Sequence, residues 1–257
     1  MKKKIVIRVP FNNIGSKKES LTKEWIEKRI WIFMNYTLKS LLGQSSQDYL
    51  ALILYNAKTE RTIKETLENY EPLPSNIKFI PSQDFESEVR KSVKGYDFMY
   101  NVHLESDDMY HRSYIKLLHK HTPKNGVVTL IPQYGYVYDS IQHRLGKFFF
   151  WAPSFGAIIY NVNDFLEGKR HKLDQGWRSS LKLPHEFICV KNPIWINHVH
   201  SKNTGMNFNR ILSWQLKTVK DACDLDSWDD SEHPRAHFGP EITDKDEIKK
   251  ILKNFNL

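Results

Sequence analysis

Strand-like hydrophobic runs recur through the first half of the chain. The β-branched run at 5–9, which ends at Pro10, is typical of a strand. The run YLALILY at 49–55 is apolar on both faces, as a central parallel strand is. Shorter strands are predicted at 77–80 and 98–104, the second with alternating apolar positions.

The segments between these strands have helical periodicity. A long amphipathic helix is predicted to end near Leu42, where Gly43 stops it, and shorter helices are predicted at 60–70 and 84–93. Strands that alternate with helices in this way predict a doubly wound parallel sheet.

The pattern changes in the second half. Residues 127–160 have strand character interrupted by Gly and Pro, which predicts antiparallel members in a mixed sheet, and strand character returns at 187–200. Helices are predicted at 211–222 and 245–255, with an irregular acidic segment between them. We therefore predict an α/β domain over 1–208, with a mixed central sheet flanked by helices. A helical C-terminal extension over 209–257 packs on it.

Charge and composition narrow the classes of function. The 257 residues carry a formal net charge of +8, which fits an anionic ligand such as a nucleotide, a nucleic acid or an acidic polysaccharide. Two distant cysteines, Cys189 and Cys223, form no disulfide framework or zinc motif, so a reducing compartment is expected. No run approaches the roughly 20 apolar residues of a membrane span. We expect a cytoplasmic protein without a membrane span.

A cluster of acids follows the strand at 98–104. In the stretch HLESDDMYH, the acids Glu105, Asp107 and Asp108 lie between that strand and a predicted helix, which Asp108 can cap. Ligands bind at this edge of open α/β sheets. Carboxylates this close repel one another, and a divalent cation such as Mg²⁺ or Mn²⁺ relieves the repulsion. The alternative is a polar turn with a helix cap.

Several stretches together resemble a known family. They are IRVPFN, WIEKR, YTLKSLLGQSS, LILYN, HLESDDMYH and HVHSKNTG, spread over roughly residues 4–208. The ordered set resembles the GT-A class of nucleotide-sugar glycosyltransferases, and more closely a bacterial and phage family of rhamnosyltransferases. The resemblance implies a GT-A-like, Rossmann-type fold. It also implies sugar transfer from a nucleotide-diphosphate-sugar donor to a glycan or other hydroxyl acceptor, with Mn²⁺ or Mg²⁺ as cofactor.

The resemblance also implies roles for individual residues. The acidic motif supplies Asp107 and Asp108 as metal ligands, and His200 completes the metal site. Glu105 stands where the family usually has Asp, and with Ser106 it is a candidate for donor binding.

Other candidates for the donor site are two arginines, two asparagines and a lysine. They are Arg8, Asn12, Asn56, Arg90 and Lys202.

An inverting enzyme needs a carboxylate to deprotonate the acceptor hydroxyl, and Asp174 and Glu186 lie in the right part of the chain. His198 and His200 alternate with Val199, so on a strand they face the same side. Arg29 is expected to form an intrahelical or buried ion pair.

Two other classes of function compete with this interpretation. A metal-dependent phosphoryl-transfer hydrolase would hold two ions with the same acids and histidines. A non-catalytic carbohydrate- or nucleic-acid-binding protein could use the same scaffold, and transfer to a modified nucleobase or a protein is a further variant. Nucleic acid is not favoured as a partner, because no clustered Arg/Lys stripe with interleaved aromatics is present.

Overall fold

The computed structural model describes residues 1–13, 18–188, 193–201, 208–209 and 236–257. The predicted helix at 211–222, the candidate Lys202 and both cysteines lie outside the described residues. The strands, in chain order, are β1 Lys3–Pro10, β2 Leu50–Tyr55, β3 Ile77–Pro81, β4 Phe98–His103, β5 Met109–Tyr110, β6 Thr129–Ile131, β7 Tyr134–Asp139, β8 Arg144–Phe150, β9 Ala157–Asn161, β10 Asp174–Trp177, β11 His185–Phe187, β12 Trp195–Val199 and β13 Ala236–Ile242.

The helices flank these strands. They are α1 Lys23–Ile32, α2 Leu38–Leu42, α3 Glu60–Leu67, α4 Phe85–Ser92, α5 Tyr114–Lys120, α6 Val162–Leu166 and α7 Lys245–Lys253. A single π-helical turn, Phe33–Thr37, joins α1 to α2, so the two form the long helix that the sequence predicted. Within the described residues, no helix combines the length and the apolar character that crossing a membrane requires.

A seven-stranded sheet forms the centre of the fold, in the order β11-β6-β9-β4-β1-β2-β3. Strands β4, β1, β2 and β3 run parallel, and β9 pairs antiparallel with both β4 and β6. Alternate residues of β1 enter different cores, with Ile5, Ile7 and Val9 on one face and Val6 on the other. This confirms the predicted mixed α/β class with a mostly parallel central sheet.

The chain reverses its direction of winding at β1. Strands β2 and β3 extend the sheet on one side of β1, whereas β4 is added on the other side. The carboxyl ends of β1 and β4 therefore border a crevice at a topological switch point, which is the usual place for a ligand in an open α/β sheet.

A second sheet of five strands has the order β13-β8-β7-β12-β5. It corrects two predictions. The helix expected directly after the acidic motif begins only at Tyr114, because Met109–Tyr110 instead pairs antiparallel with β12. The segment expected to be irregular before the last helix contains β13, which pairs with β8. The predicted final helix is confirmed by α7, and Asn256 beyond it donates a hydrogen bond to the Lys39 carbonyl at 2.8 Å.

The second sheet depends on one close approach. Gly135 of β7 lies against the indole ring of Trp195, and a Cβ atom built at Gly135 would be 2.1 Å from the ring. Trp195 cannot move easily, because it stacks on Phe155 with ring centroids 4.3 Å apart and donates to the Pro132 carbonyl at 2.6 Å. Only glycine leaves room for the indole at this position.

Gly135→Ala is therefore expected to destabilise the protein by about 3 kcal/mol, the upper end for overpacking a core. Gly126→Ala is the control, since it has open space around the site but a positive φ of 80°, and should cost about 1 kcal/mol. Urea unfolding measures both. Equal losses in the two variants would show that the indole contact is not restrictive.

Candidate functional site

The acidic loop leaves the central sheet at the switch point. Arg8 near the end of β1 is opposite His103 at the end of β4, and the Leu104 amide donates to the Arg8 carbonyl at 3.1 Å. The next four residues, Glu105 to Asp108, form the acidic loop and connect β4 to β5. The structure therefore places the predicted acids at the crevice between two parallel strands.

Asp107 is held by two donors from distant parts of the chain. Its Oδ1 is 3.0 Å from Arg29 Nη2 of α1, and its Oδ2 is 2.9 Å from His200 Nε2. Arg29 Nε also donates to Ser106 Oγ at 2.9 Å. Burial opposes ionisation of Asp107, but Arg29 and His200 outweigh it and lower its pKa to about 2. Asp107 is therefore an ionised carboxylate. The buried ion pair expected of Arg29 is confirmed, and it is not intrahelical.

Asp108 does not cap a helix. When the register of β5 against β12 is extended by one residue, Asn197 lies opposite Asp108. Asp108 Oδ1 accepts from the His198 backbone amide at 2.9 Å, and Asn197 Nδ2 lies 3.3 and 3.2 Å from its two oxygens. Burial and the neighbouring Asp107 charge raise the pKa of Asp108 well above its usual range. Asp108 thus anchors the loop to the second sheet.

The two histidines approach Asp107 together, as their alternation predicted, with ring centroids 5.1 Å apart. His198 Nδ1 is 3.1 Å from the Asp107 carbonyl, so it donates there, and Nε2 accepts from Ser140 Oγ at 2.8 Å. Burial lowers the pKa of His198 to about 4, so its imidazole is neutral near pH 7. The π-helical turn brings Tyr36 to 4.0 Å from the same ring, centroid to centroid. His198 is thereby fixed in one tautomer beneath Asp107.

Arg8 differs from Arg29 in that none of the described carboxylates lies within ion-pair distance of it. Its Nε is buried and has no hydrogen-bond partner in the described part of the chain, and its guanidinium lies 5.5 Å from the Phe85 ring centroid. Glu105 is the acid whose charge acts most strongly on Arg8, but its carboxylate is hydrogen-bonded to His103 Nε2 at 2.8 Å. Burial lowers the pKa of Arg8 although Glu105 opposes the change. The crevice therefore contains a cation whose charge is poorly compensated.

The two asparagines proposed for donor binding, Asn12 and Asn56, are hydrogen-bonded to each other and to neighbouring protein groups. Asn12 Nδ2 donates to the Ser20 carbonyl and to Thr59 Oγ1, both at 3.1 Å, and its Oδ1 accepts from the Asn56 amide at 2.8 Å. Asn56 Oδ1 accepts from the Lys58 amide at 3.1 Å. These bonds join the loops after β1 and β2.

Three other residues predicted for the site, one for donor binding and two as the catalytic base, lie away from the acidic loop or at its margin. Arg90 bonds Glu86 at 2.9 Å and the Leu166 carbonyl at 2.7 Å, so it fastens α4 to α6. Glu186 accepts from His121 Nε2 at 2.8 Å and from the Lys124 amide at 2.9 Å, at the end of α5.

The third, Asp174, is exposed at the start of β10. The last residue of that strand, Trp177, contacts His103 with ring centroids 5.3 Å apart. β10 therefore reaches the rim of the crevice, and the catalytic roles of Asp174 and Glu186 remain predictions.

The predicted metal ligands do not form a metal site as they stand. Among the residues that the structure describes, no three His, Cys, Asp or Glu side chains are placed to hold an ion together. Each oxygen of Asp107 and Asp108 already lies within bonding distance of a protein N–H group, and Glu105 is bonded to His103. As placed, this donor set does not fit Mn²⁺ or Mg²⁺, because the Arg29 guanidinium already supplies the positive charge beside Asp107.

An aromatic pocket adjoins Asp108. It has a volume of about 220 Å³ and is lined by Phe148, Phe150, Pro153, Ser154, Phe155, Trp195 and Asn197. Asn197 connects it to the acidic loop, because the same amide lies against the Asp108 carboxylate. The Asn197 Oδ1 atom is buried and has no partner within the described residues.

The comparisons with known proteins give likeness of fold only. No family profile and no curated protein sequence matches the chain. S. aureus TarS 1-349 in complex with UDP is 13% identical, with a TM-score of 0.40 over 76% of this chain and 60% of that chain. A cytidylyltransferase from Leptospira borgpetersenii is 12% identical, with a TM-score of 0.36 over 74% of this chain and 77% of that chain.

An active-site mutant of LgtC is 9% identical, with a TM-score of 0.36 over 72% of each chain. At TM-scores this low the likeness decides no activity, and a rhamnosyltransferase family is not shown.

Sequence reasoning missed three contributors to the site: Asn197, Trp177 and Tyr36. The positions of Trp177 and Asn197 depend on how distant strands pack, so the sequence around each residue does not indicate its place in the site. Tyr36 depends on a π-helical turn, which periodicity does not reveal.

The contact between Arg29 and Asp107 makes a prediction about stability. Arg29→Met and Asp107→Asn should each destabilise the protein by about 3–5 kcal/mol, because each leaves its partner buried and uncompensated. The double variant should lose much less than the sum of the two. Urea unfolding of the four proteins measures the coupling.

The exposed pair Arg61 and Glu65 provides the control cycle, since its 2.7 Å ion pair is screened by solvent. Its coupling should be far smaller. Additive losses for Arg29 and Asp107 would contradict the buried ion pair.

Proposed function

We propose that this protein transfers a sugar from a nucleotide-diphosphate-sugar donor to a hydroxyl acceptor. The observation that carries the proposal is the poorly compensated guanidinium of Arg8, whose buried Nε has no partner among the described residues, at the switch point between β1 and β4. A buried charge is costly without a partner, so an anion that enters the crevice gains more there than at the surface. A diphosphate is the anion that the predicted reaction requires.

The reaction makes a second demand on the site. The bond between the anomeric carbon and the diphosphate oxygen breaks, and its electron pair stays on the departing oxygen. The anomeric carbon bonds the acceptor oxygen, whose proton is released. Preorganised cations stabilise the growing negative charge. Arg29, which contacts the acidic loop, and Arg8, at the end of β1, could supply this stabilisation.

The aromatic pocket supports a place for the acceptor. Aromatic faces pack against the apolar faces of sugar rings, and Asn197 offers an amide at the side nearest Asp108. The two-ion hydrolase loses support, because the acids that would hold its ions already have protein donors. A non-catalytic binding protein on the same scaffold would bind a nucleotide sugar without consuming it.

Arg8→Gln is expected to weaken binding of the preferred nucleoside diphosphate by about 10- to 100-fold, because a hydrogen bond to a charged group is worth about 1.5–3 kcal/mol. The four diphosphates UDP, GDP, CDP and dTDP and their hexoses are first screened by thermal shift, since ligand binding raises apparent stability. Calorimetry then gives the affinities.

Two arginines serve as controls. Arg61→Gln removes an exposed positive charge, and Arg90→Gln removes an arginine that already has protein partners. Both should bind as the parent does. The absence of any nucleotide binding, or an equal loss in all three variants, would contradict the proposed donor site. Binding without turnover would favour the non-catalytic protein.

A further inference from the structure

Two features of the acidic loop suggest that it holds an arginine where an ion was predicted. Asp107 contacts Arg29 through one oxygen and His200 through the other. Ser106 adds a hydrogen bond to Arg29 Nε, so two successive loop residues hold the same guanidinium. Such two-point contact fixes the plane of the guanidinium as well as its position.

The two neighbouring acids, Asp108 and Glu105, are also hydrogen-bonded to protein groups. Asp108 is anchored by Asn197 and the His198 amide, across two strands of the second sheet. Glu105 bonds His103 at the end of β4. A divalent ion bound to Asp107 would lie close to the Arg29 guanidinium, which is 3.0 Å from that carboxylate. Two cations at one buried carboxylate repel each other, so the arginine disfavours the ion.

Arg29 retains a means of binding an anion. Its Nε and Nη2 face the loop, whereas Nη1 has no partner among the described residues. The side chain is 18% exposed, so it reaches the crevice. The Arg8 side chain lies over Phe85 of α4, on the face of the central sheet opposite α1, so it takes no part in this contact. A diphosphate beside the loop could therefore meet the remaining edge of the Arg29 guanidinium.

We propose that Arg29, held by Asp107 and Ser106, binds the diphosphate of the donor directly and that donor binding needs no divalent cation. This inference rests on the proposed function. It assigns the acidic motif the role of fixing a cationic side chain, in place of the metal ligation that the resemblance implied. The protein donors of Asp107 and Asp108 also reduce the repulsion between these neighbouring acids.

The first test measures affinity with and without a metal. The nucleoside diphosphate selected by the thermal-shift screen is titrated into the full chain by calorimetry, once in excess EDTA and once in millimolar MnCl₂. The two dissociation constants should agree within about threefold. Binding that appears only with Mn²⁺ would overturn the inference and leave the proposed function standing. Failure to bind in both conditions would defeat the proposed function.

The second test needs no nucleotide. Mn²⁺ alone is titrated into the protein and followed by electron paramagnetic resonance, in which the signal of the free aqueous ion falls on binding. The signal should match that of Asp107→Asn at every Mn²⁺ concentration. A stoichiometric loss of signal in the parent protein that Asp107→Asn abolishes would overturn the inference, whatever the nucleotide data show.

Variants of α1 test the role of Arg29 itself. Arg29→Gln and Arg29→Lys should weaken diphosphate binding in EDTA by about 10-fold or more, the lysine variant less, because it keeps the charge but loses the planar fork. Lys28→Gln removes the adjacent exposed charge and should have no effect. Circular dichroism checks that each variant is folded. Unchanged affinity in folded Arg29→Lys and Arg29→Gln would overturn the inference.

Discussion

The ion pair between Arg29 and Asp107 connects the elements that make up the candidate site. Arg29 belongs to α1, Asp107 to the loop after β4, and His200, the second partner of Asp107, to the segment after β12. Three separate parts of the chain therefore meet at one carboxylate. A buried ion pair is seldom the most stabilising choice, since well-packed apolar residues often do as well. Its value here lies in fixing where a guanidinium stands at the edge of the sheet.

The two sheets give this ion pair its surroundings. The central sheet brings the ends of β1 and β4 together at a switch point, and the second sheet contributes the backbone and side chains of β12. Strand β5 is only two residues long, yet its pairing with β12 fixes Asp108 opposite Asn197. The acidic loop is therefore attached to both sheets, which makes it a rigid support for whatever binds in the crevice.

The sequence allowed the central sheet to be predicted well because its strands are short apolar or alternating runs, one of them apolar on both faces, and the helices between them are amphipathic. It also located the acidic loop, because the alternating strand before it ends there. The shared orientation of His198 and His200 followed from their alternation with Val199. It did not reveal β5 or β13, because two-residue and polar strands depend on the partner strand that pairs with them. The partner of Asp107 lies 78 positions away along the chain (107 − 29). No local pattern could distinguish an arginine from a metal ion as the counter-charge.

The most direct test of this account is a crystal structure of the protein grown with MnCl₂ and its preferred nucleoside diphosphate, with anomalous data collected at the manganese edge. We predict that the diphosphate lies at the carboxyl ends of β1 and β4 in contact with Arg29, with Arg29 still paired to Asp107 and no anomalous peak at the acidic loop. A manganese peak bonded to Asp107 and Asp108, with Arg29 displaced, would contradict it.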